Sequence, residues 1–336
     1  MAARGESDPV RSATAFRWLL PCLALAWYFA AVMAGVSGFN AHPDEIFHVS
    51  AGEYYLTHWL LPRVTDPDLL SSLSQYGFTY LGEVDATYLL AGKLASLLPA
   101  SLLDVYLRFR AFNLLLFLIL VIVYGAQRDP YSPIVLALLT PQIWYVFSYF
   151  NNDAFPLFLS LLLVSAVFRS RSRVAAAFTE PWRASTLIPL VGTGLLAGLL
   201  VLTKPNYLPV IAFVVFFAVW RGVGFAAAAI CVASAGLYLA RSRSFVSISA
   251  DALWACLLRG IASIASLVAA RLWRSPASRT VMARGAIVAL TALAIAGPPF
   301  AFDRVLNGPR HEKAFALGTI AEAHAEPAYR PSDSSH

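Results

Sequence analysis

The sequence predicts an all-α, polytopic membrane protein, and three observations carry that prediction. Its 336 residues are 59% hydrophobic and only 13% charged, with a mean hydropathy of +0.65. One soluble core cannot hide that much apolar surface. Uncharged runs recur at roughly the twenty-residue length with which a helix crosses about 30 Å of hydrocarbon. The alternating polar pattern of a membrane barrel is absent, and lipid offers open backbone amides no partner, so the spans are expected to be helices.

Taken in order, the runs cover 18–41, 111–127, 130–152, 184–203 and 222–240, with shorter ones at 154–168, 205–220 and 285–302. The first, preceded by Arg4, Arg11 and Arg17, has the length of an uncleaved anchor rather than of a signal peptide. Arginines cluster again at Arg169, Arg171, Arg173 and Arg183, and at Arg271, Arg274, Arg279 and Arg284. These three clusters mark the cytoplasmic side. Residues 1–16 are then a cytoplasmic N-terminus and 38–105 an external loop. Spans near 106–127, 131–150 and 154–170 follow.

"TKPNY" at 203–207 reads as a tight outward hairpin, because Pro205 and Asn206 interrupt the helix. A single kinked span there is the alternative. Further spans near 251–270 and 284–301 bring the total to about nine, giving a membrane module over 17–301 and a polar external tail over 302–336. Cys22, Cys231 and Cys256 all lie in apolar segments, so neither a disulfide framework nor a thiolate metal spacing is present. The net charge of +6 reports topology and calls for no nucleic-acid partner.

Chemistry concentrates in "FNAHPDEIFHVSAGEYYLTHW", 39–59. The external segment 38–85 holds the carboxylates Asp44, Glu45, Glu53, Asp66, Asp68, Glu83 and Asp85 against the single basic residue Arg63. Glu53, Asp66 and Asp68 fit an ordinary solvated loop. Asp44 and Glu45 differ: Pro43 suits a first helical position, which puts both acids in the first turn of a helix running to about His58, where free N–H groups and the dipole favour the ionised form. Phe47, Ala51 and Tyr54 or Tyr55 recur at helical spacing with Trp59 just beyond, the pattern of a helix lying in the membrane interface. Three roles suit such an acidic pair: general base, cation ligand or helix cap. A metal on Asp44, Glu45 and His48 is one option, although the spacing is not HExxH.

These residues carry a resemblance. "HPDEIFHVSAGEYYLTHWLLPRV" resembles the first external loop of the GT-C integral-membrane glycosyltransferases, the group that includes protein O-mannosyltransferases and the lipid A aminoarabinose transferase. "YLGEVDATYLLAGKLASLLPA" is similar to that family's second juxtamembrane segment. "LLDVYLRFRAFNLLLFLILVIVYG" is similar to its span with an outer arginine, and "YVFSYFNNDAFPLFLSLLLV" to the place where an external Asp opens a span. The likeness covers roughly 15–220, in the family's order.

The resemblance implies a GT-C-like helical bundle with juxtamembrane helices in its first external loop. It also implies a transferase in the plasma membrane that moves a sugar from a polyprenyl-phosphate donor to a glycan, lipid or protein acceptor on the outer face. Carried over by position, Asp44 is the base, with Glu45 beside it and Glu83 and Asp153 as further acids. His48, Arg63, Asp85, Lys93, Arg108 and Arg110 are the substrate-binding candidates. Displacement at an anomeric carbon needs a base near the acceptor hydroxyl and positive charge near the departing phosphate, and the four cations are there to supply that charge. Some family members use a divalent cation and others do not. Where relatives of the aminoarabinose type have Glu-Lys-Pro, this chain has Glu83-Val84-Asp85. Blander roles run alongside: Arg108 and Arg110 snorkelling at a span end, and Asn151-Asn152-Asp153 capping the next helix.

The competing class is a non-catalytic partner or transporter in envelope-polysaccharide assembly. A transporter would place ionisable groups at mid-membrane depth and often repeat its halves. Here the acids gather at one face and no internal repeat is found.

Overall fold

The computed structural model describes residues 9–70, 72–74, 76–77, 79–127, 133–168, 173–179, 181–211, 213–214 and 276–325. Among them the chain is helical, and its one β feature is an isolated bridge between Leu73 and Thr79. The helices are α1 (Pro9–Val36), α2 (Glu45–Thr57), α3 (Pro67–Leu70), α4 (Ala86–Leu97), α5 (Val105–Gln127), α6 (Pro133–Leu138), α7 (Pro141–Ser148), α8 (Ala154–Phe168), α9 (Arg173–Thr179), α10 (Ala184–Val201), α11 (Pro276–Asn307) and α12 (Arg310–His324). Four segments among the described residues are long and apolar enough to cross a membrane: Trp18–Val36, Val105–Ala126, Ala184–Val201 and Arg279–Asn307. The expected spans at 222–240 and 251–270 lie outside the described residues.

The run 130–152, expected as one span, is corrected. It breaks into α6 and α7 at Thr140, whose backbone is extended (φ −86°, ψ 140°) ahead of Pro141. Proline's ring pushes the preceding residue out of the helical region and its nitrogen has no hydrogen to donate, so the α6 ladder ends there. At "TKPNY" α10 does stop, and Pro205–Tyr207 form a single 3₁₀ turn.

The chain forms two compact units, Met1–Phe158 with Pro298–His336, and Leu159–Gly297. In the first, α1 and α5 run antiparallel. The guanidinium of Arg110 reaches the Ala34 carbonyl at one end, the Trp27 indole donates to the Leu114 carbonyl at 3.0 Å midway, and a side chain on Gly125 would meet Leu20 at the other. α7 completes this core through Phe29 stacked on Trp144 at 5.5 Å and Phe117 on Phe147 at 5.1 Å. In the second unit α10 and α11 run parallel along Gly194 and Gly198. A Cβ on Gly194 would come within 2.6 Å of Thr291, and one on Gly198 within 2.8 Å of the Ala292 carbonyl. Small residues one turn apart let two apolar helices approach closely where lipid gives no hydrophobic drive to associate.

In the polar stretch after 302, the described residues to 325 are mostly helical. α11 continues to Asn307, and α12 packs on the segment between α3 and α4, where Gly77 (φ +76°) leaves room for the α12 backbone at Ala321 and Gly82 lies against Leu317. Asn307 joins the two: its Oδ1 accepts from Val64 N at 2.9 Å and its Nδ2 donates to the Pro62 carbonyl at 3.2 Å. Lys313 closes the turn on both oxygens of Asp303 at 2.8 and 2.9 Å.

Candidate functional site

The site forms at the end of the first unit where α1 stops, α2 starts, α5 begins and α7 hands over to α8. Residues 38–44 make the turn, and two of them, Asn40 (φ 59°) and Asp44 (φ 58°), adopt the left-handed conformation. α2 therefore starts at Glu45, with Asp44 outside it as an N-cap that makes no side-chain cap bond, and Pro43 is not its first residue as expected. The backbone carbonyl of Asp44 still accepts from Phe47 N and His48 N, at 3.0 and 3.1 Å. The Asp44 side chain is exposed.

Glu45 points the other way and is 0% exposed. Its carboxylate takes Arg110 Nε and Nη2 side by side at 2.7 Å each, Asn40 N at 3.2 Å and Phe150 N at 3.3 Å. Arg110, 1% exposed, spends its remaining hydrogens on the Ala34, Ser37 and Gly38 carbonyls and on Ser37 Oγ. The Ala34 carbonyl belongs to the last turn of α1, whose acceptors lack helical partners, and the Ser37 and Gly38 carbonyls lie just beyond it, at the helix end that a cation also favours electrostatically. A buried pair of charges is sustained only when every donor and acceptor is used, and here they are.

This arrangement corrects two expectations. Arg110 neither snorkels nor keeps a donor for a lipid phosphate, and Glu45 has no oxygen turned to a substrate. The metal set fares likewise: a cation on Asp44, Glu45 and His48 would need the carboxylate that Arg110 holds and would sit beside a guanidinium. Among the described residues no group of three His, Cys, Asp or Glu side chains could hold a metal ion. The residues do not fit one.

His48 is buried, bonded through Nδ1 to the Tyr88 hydroxyl at 2.7 Å and stacked on Tyr80 at 4.3 Å between ring centres. Asp85, also buried, caps α4 by accepting from Thr87 N at 2.8 Å. Both are held within the protein. Glu83 is exposed at the end of the 3₁₀ turn Tyr80–Gly82. Asn151, through its Oδ1, caps the start of α8 by accepting from Asp153 N and Ala154 N at 2.9 Å each, so the cap expected of Asn-Asn-Asp belongs to its first residue. Of the remaining cations, Arg63 is exposed, Lys93 lies 4.3 Å from the centre of the Trp59 ring, and Arg108 Nη1 reaches the Ala95 carbonyl at 3.4 Å.

Asp44 and Asp153, 109 positions apart in sequence, both act by their charge on one aromatic rim, the Tyr80 and Tyr149 phenols. Burial raises the Tyr80 phenol, and the charges of Asp44 and Asp153 raise it further. Tyr149 is pushed up to about 12, first by burial, then by Tyr145, Asp153, Glu45 and Asp44. His42 stacks on Tyr149 at 4.6 Å, meets Tyr145 edge-on at 5.3 Å and pairs through Nε2 with Ser37 Oγ at 3.0 Å. Burial lowers its pKa, Glu45 opposes that and Arg110 adds to it, so its ring is neutral at pH 7.

The rim was missed from sequence. Tyr80 and Tyr149 stand within motifs singled out for their acids, and nothing in their spacing shows that they face those acids. An exposed carboxylate on a fixed backbone, with flat aromatic faces within reach of its charge and of a second carboxylate's, can accept a proton from a hydroxyl and seat a ring. Comparison with protein-family models, with curated proteins and with solved structures returns no match.

Proposed function

We propose that the protein is a membrane glycosyltransferase of GT-C-like architecture, with about nine spans, its N-terminus in the cytoplasm and its site on the outer face of the plasma membrane. It moves a sugar from a polyprenyl-phosphate donor to a glycan, lipid or protein acceptor, and Asp44 is the base. One observation carries the reading: of two adjacent carboxylates, Glu45 is consumed in a buried corner while Asp44 is left exposed in a left-handed backbone, its charge acting together with that of Asp153 on the Tyr80 phenol. Backbone strain at a non-glycine residue persists where the surroundings enforce it, and such positions gather at functional sites.

In this scheme Asp44 accepts the acceptor hydroxyl's proton as its oxygen bonds to the anomeric carbon and the bond to the lipid phosphate breaks. Asp153 supports Asp44 from the facing turn, Tyr80 and Tyr149 seat the sugar or acceptor ring, and Arg63, Lys93 and Arg108 are the cations left for the departing phosphate. Glu45 and Arg110 position the turn.

The test is sugar transfer in membranes carrying the wild type or Asp44→Asn, supplied with a panel of labelled polyprenyl-phosphate sugars. Asparagine keeps the shape and tolerates a left-handed backbone, so a stably expressed variant that has lost transfer by about 10²-fold or more fits a lost base. Equal transfer by both moves the base elsewhere. Absence of transfer by the wild type, where a control enzyme succeeds, favours a non-catalytic partner.

A further inference from the structure

His42 is a ring at the rim to which the transferase scheme gives no part, and its neighbours fix how it is held. Its plane is set by two tyrosines: Tyr149 stacks on it at 4.6 Å and Tyr145 meets it edge-on at 5.3 Å. Its rotation within that plane is set by the 3.0 Å bond between Nε2 and Ser37 Oγ. This bond leads into the closed corner, because Ser37 Oγ also takes a hydrogen from Arg110 Nη1 at 3.0 Å. The imidazole itself is part-exposed.

The hydrogens on Ser37 decide the state of His42. A serine hydroxyl has one hydrogen and two lone pairs. Its hydrogen goes to the Met33 carbonyl at 2.7 Å, the shortest of its contacts, and one lone pair takes Arg110. The other lone pair is what remains for His42, so Nε2 carries the hydrogen and donates. Burial holds the ring neutral at pH 7, and a neutral imidazole has a single N–H, which leaves Nδ1 bare. The two nitrogens face different ways round the ring, so the Nδ1 lone pair is turned away from Ser37. Among the described residues nothing bonds it. A proton there would add a second positive charge near Arg110, whose own charge already opposes it, so Nδ1 serves as a hydrogen-bond acceptor and not as a second base.

We propose that His42 is a hydroxyl-binding residue: its Nδ1 lone pair, held in a fixed direction, accepts a hydrogen bond from a hydroxyl of a saccharide ring at the rim. The ligand class follows from the surroundings of that nitrogen. A neutral acceptor takes a hydrogen from a neutral donor, and the carboxylates of Asp153 and Asp44, whose charges reach the adjoining Tyr149 phenol, repel an anion. A polyhydroxylated ring offers such donors beside an apolar face that fits against tyrosine. The lipid phosphate is then bound elsewhere. Because plane and rotation are set before the ligand arrives, little side-chain freedom is lost on binding. Asp44 removes a proton, while His42, two residues earlier, fixes a hydroxyl without removing one. The assignment rests on the rim of the transferase reading, but its test needs no transfer.

The experiment observes the full chain, carrying isotope-labelled histidine in lipid nanodiscs, by nitrogen NMR at neutral pH, with the His42 signals identified by their loss in His42→Gln. The expected state is Nε2 protonated and Nδ1 bare, and Ser37→Ala should let the other tautomer appear. Methyl glycosides of glucose, galactose, mannose, xylose and arabinose are then added as probes at rising concentration. With at least one of them the Nδ1 signal should move as its lone pair takes a hydrogen, and it should do so in Asp44→Asn as well. His42→Asn places an amide oxygen where Nδ1 was, whereas His42→Gln restores only the Nε2 donor. Ligand-observed titration of that glycoside should therefore show near-native affinity in the first and a loss of about 3- to 10-fold in the second. A hydrogen on Nδ1, a charged ring, an Nδ1 signal that ignores every glycoside or equal affinity in the two variants overturns the assignment. Binding at His42 without transfer from any donor would strike the transferase reading alone, and transfer that needs Asp44 beside an unmoved Nδ1 signal would strike this one alone.

Discussion

Asp44 and Glu45 are neighbours in sequence and opposites in the fold. Glu45 is sealed in a corner where Arg110, two backbone amides and the end of α1 meet. Asp44 is exposed, and its charge acts with that of Asp153 on the rim formed by the Tyr80 and Tyr149 phenols. The difference comes from one backbone angle: with Asp44 at φ 58°, the chain turns so that its side chain leaves the surface while the next enters the interior. A structural carboxylate and a chemically available one are thus made from consecutive residues, the first holding the second in place.

The largest effect expected is on the closed side. Glu45→Gln or Arg110→Ala leaves one buried charge without its partner, which typically costs about 3–5 kcal/mol. Thermal unfolding in detergent should show both variants strongly destabilised, with the double variant less impaired than the sum because the pair is then lost together. If either single variant melts like the wild type, the corner is not what fixes the turn. Arg110→Lys is the milder cut. It keeps the charge but replaces a planar five-donor fork by a point ammonium, so it should cost about 1–3 kcal/mol and still fold.

How far this contrast could be read in advance differs by side. The acid pair at a helix start, the end of that helix near His58 and the apolar segments of α1, α5, α10 and α11 were all legible, because each is a local pattern of hydropathy or capping. Pairing across 65 positions, as between Glu45 and Arg110, has no local signature: one arginine near a span end looks the same whether it snorkels or closes a corner. The left-handed backbone at Asp44 was hidden by Pro43, which suggested a helix start two residues too early. Docking of α12 was equally unreadable, since its contacts are made by Gly77 and Gly82, positions defined by what they leave room for.

On the open side, stability and chemistry should separate. Asp44→Gly relieves the left-handed strain and removes the carboxylate, while glycine's extra unfolded-state freedom opposes the gain. The melting point should correspond to within about 1 kcal/mol of wild type. Transfer activity should fall as far as in Asp44→Asn. A strongly destabilised Asp44→Gly would show that the carboxylate supports the fold and would erase the distinction between the two neighbours.

The smallest effects are in the pH dependence, and they come from the aromatic residues lying between corner and rim. His42 has its pKa lowered below 6.5 in the folded protein, so its contribution is present above pH 6.5 and is lost as pH falls through the folded value, because the unfolded chain takes the proton first. Tyr149 has the opposite sense. Its phenol rises from 10.0 to about 12, so its contribution is full below pH 10 and is lost as pH climbs toward 12, the unfolded chain ionising first. Unfolding measured across both ranges should show His42→Gln flattening only the acid limb and Tyr149→Phe only the alkaline one. Burial is the first cause of the Tyr149 shift and the rim carboxylates add to it, so Asp153→Asn should return part of the alkaline slope and leave the acid limb alone. An alkaline limb that ignores Asp153→Asn would mean that its carboxylate does not face the phenol, and Asp44 would then stand on the rim without its companion.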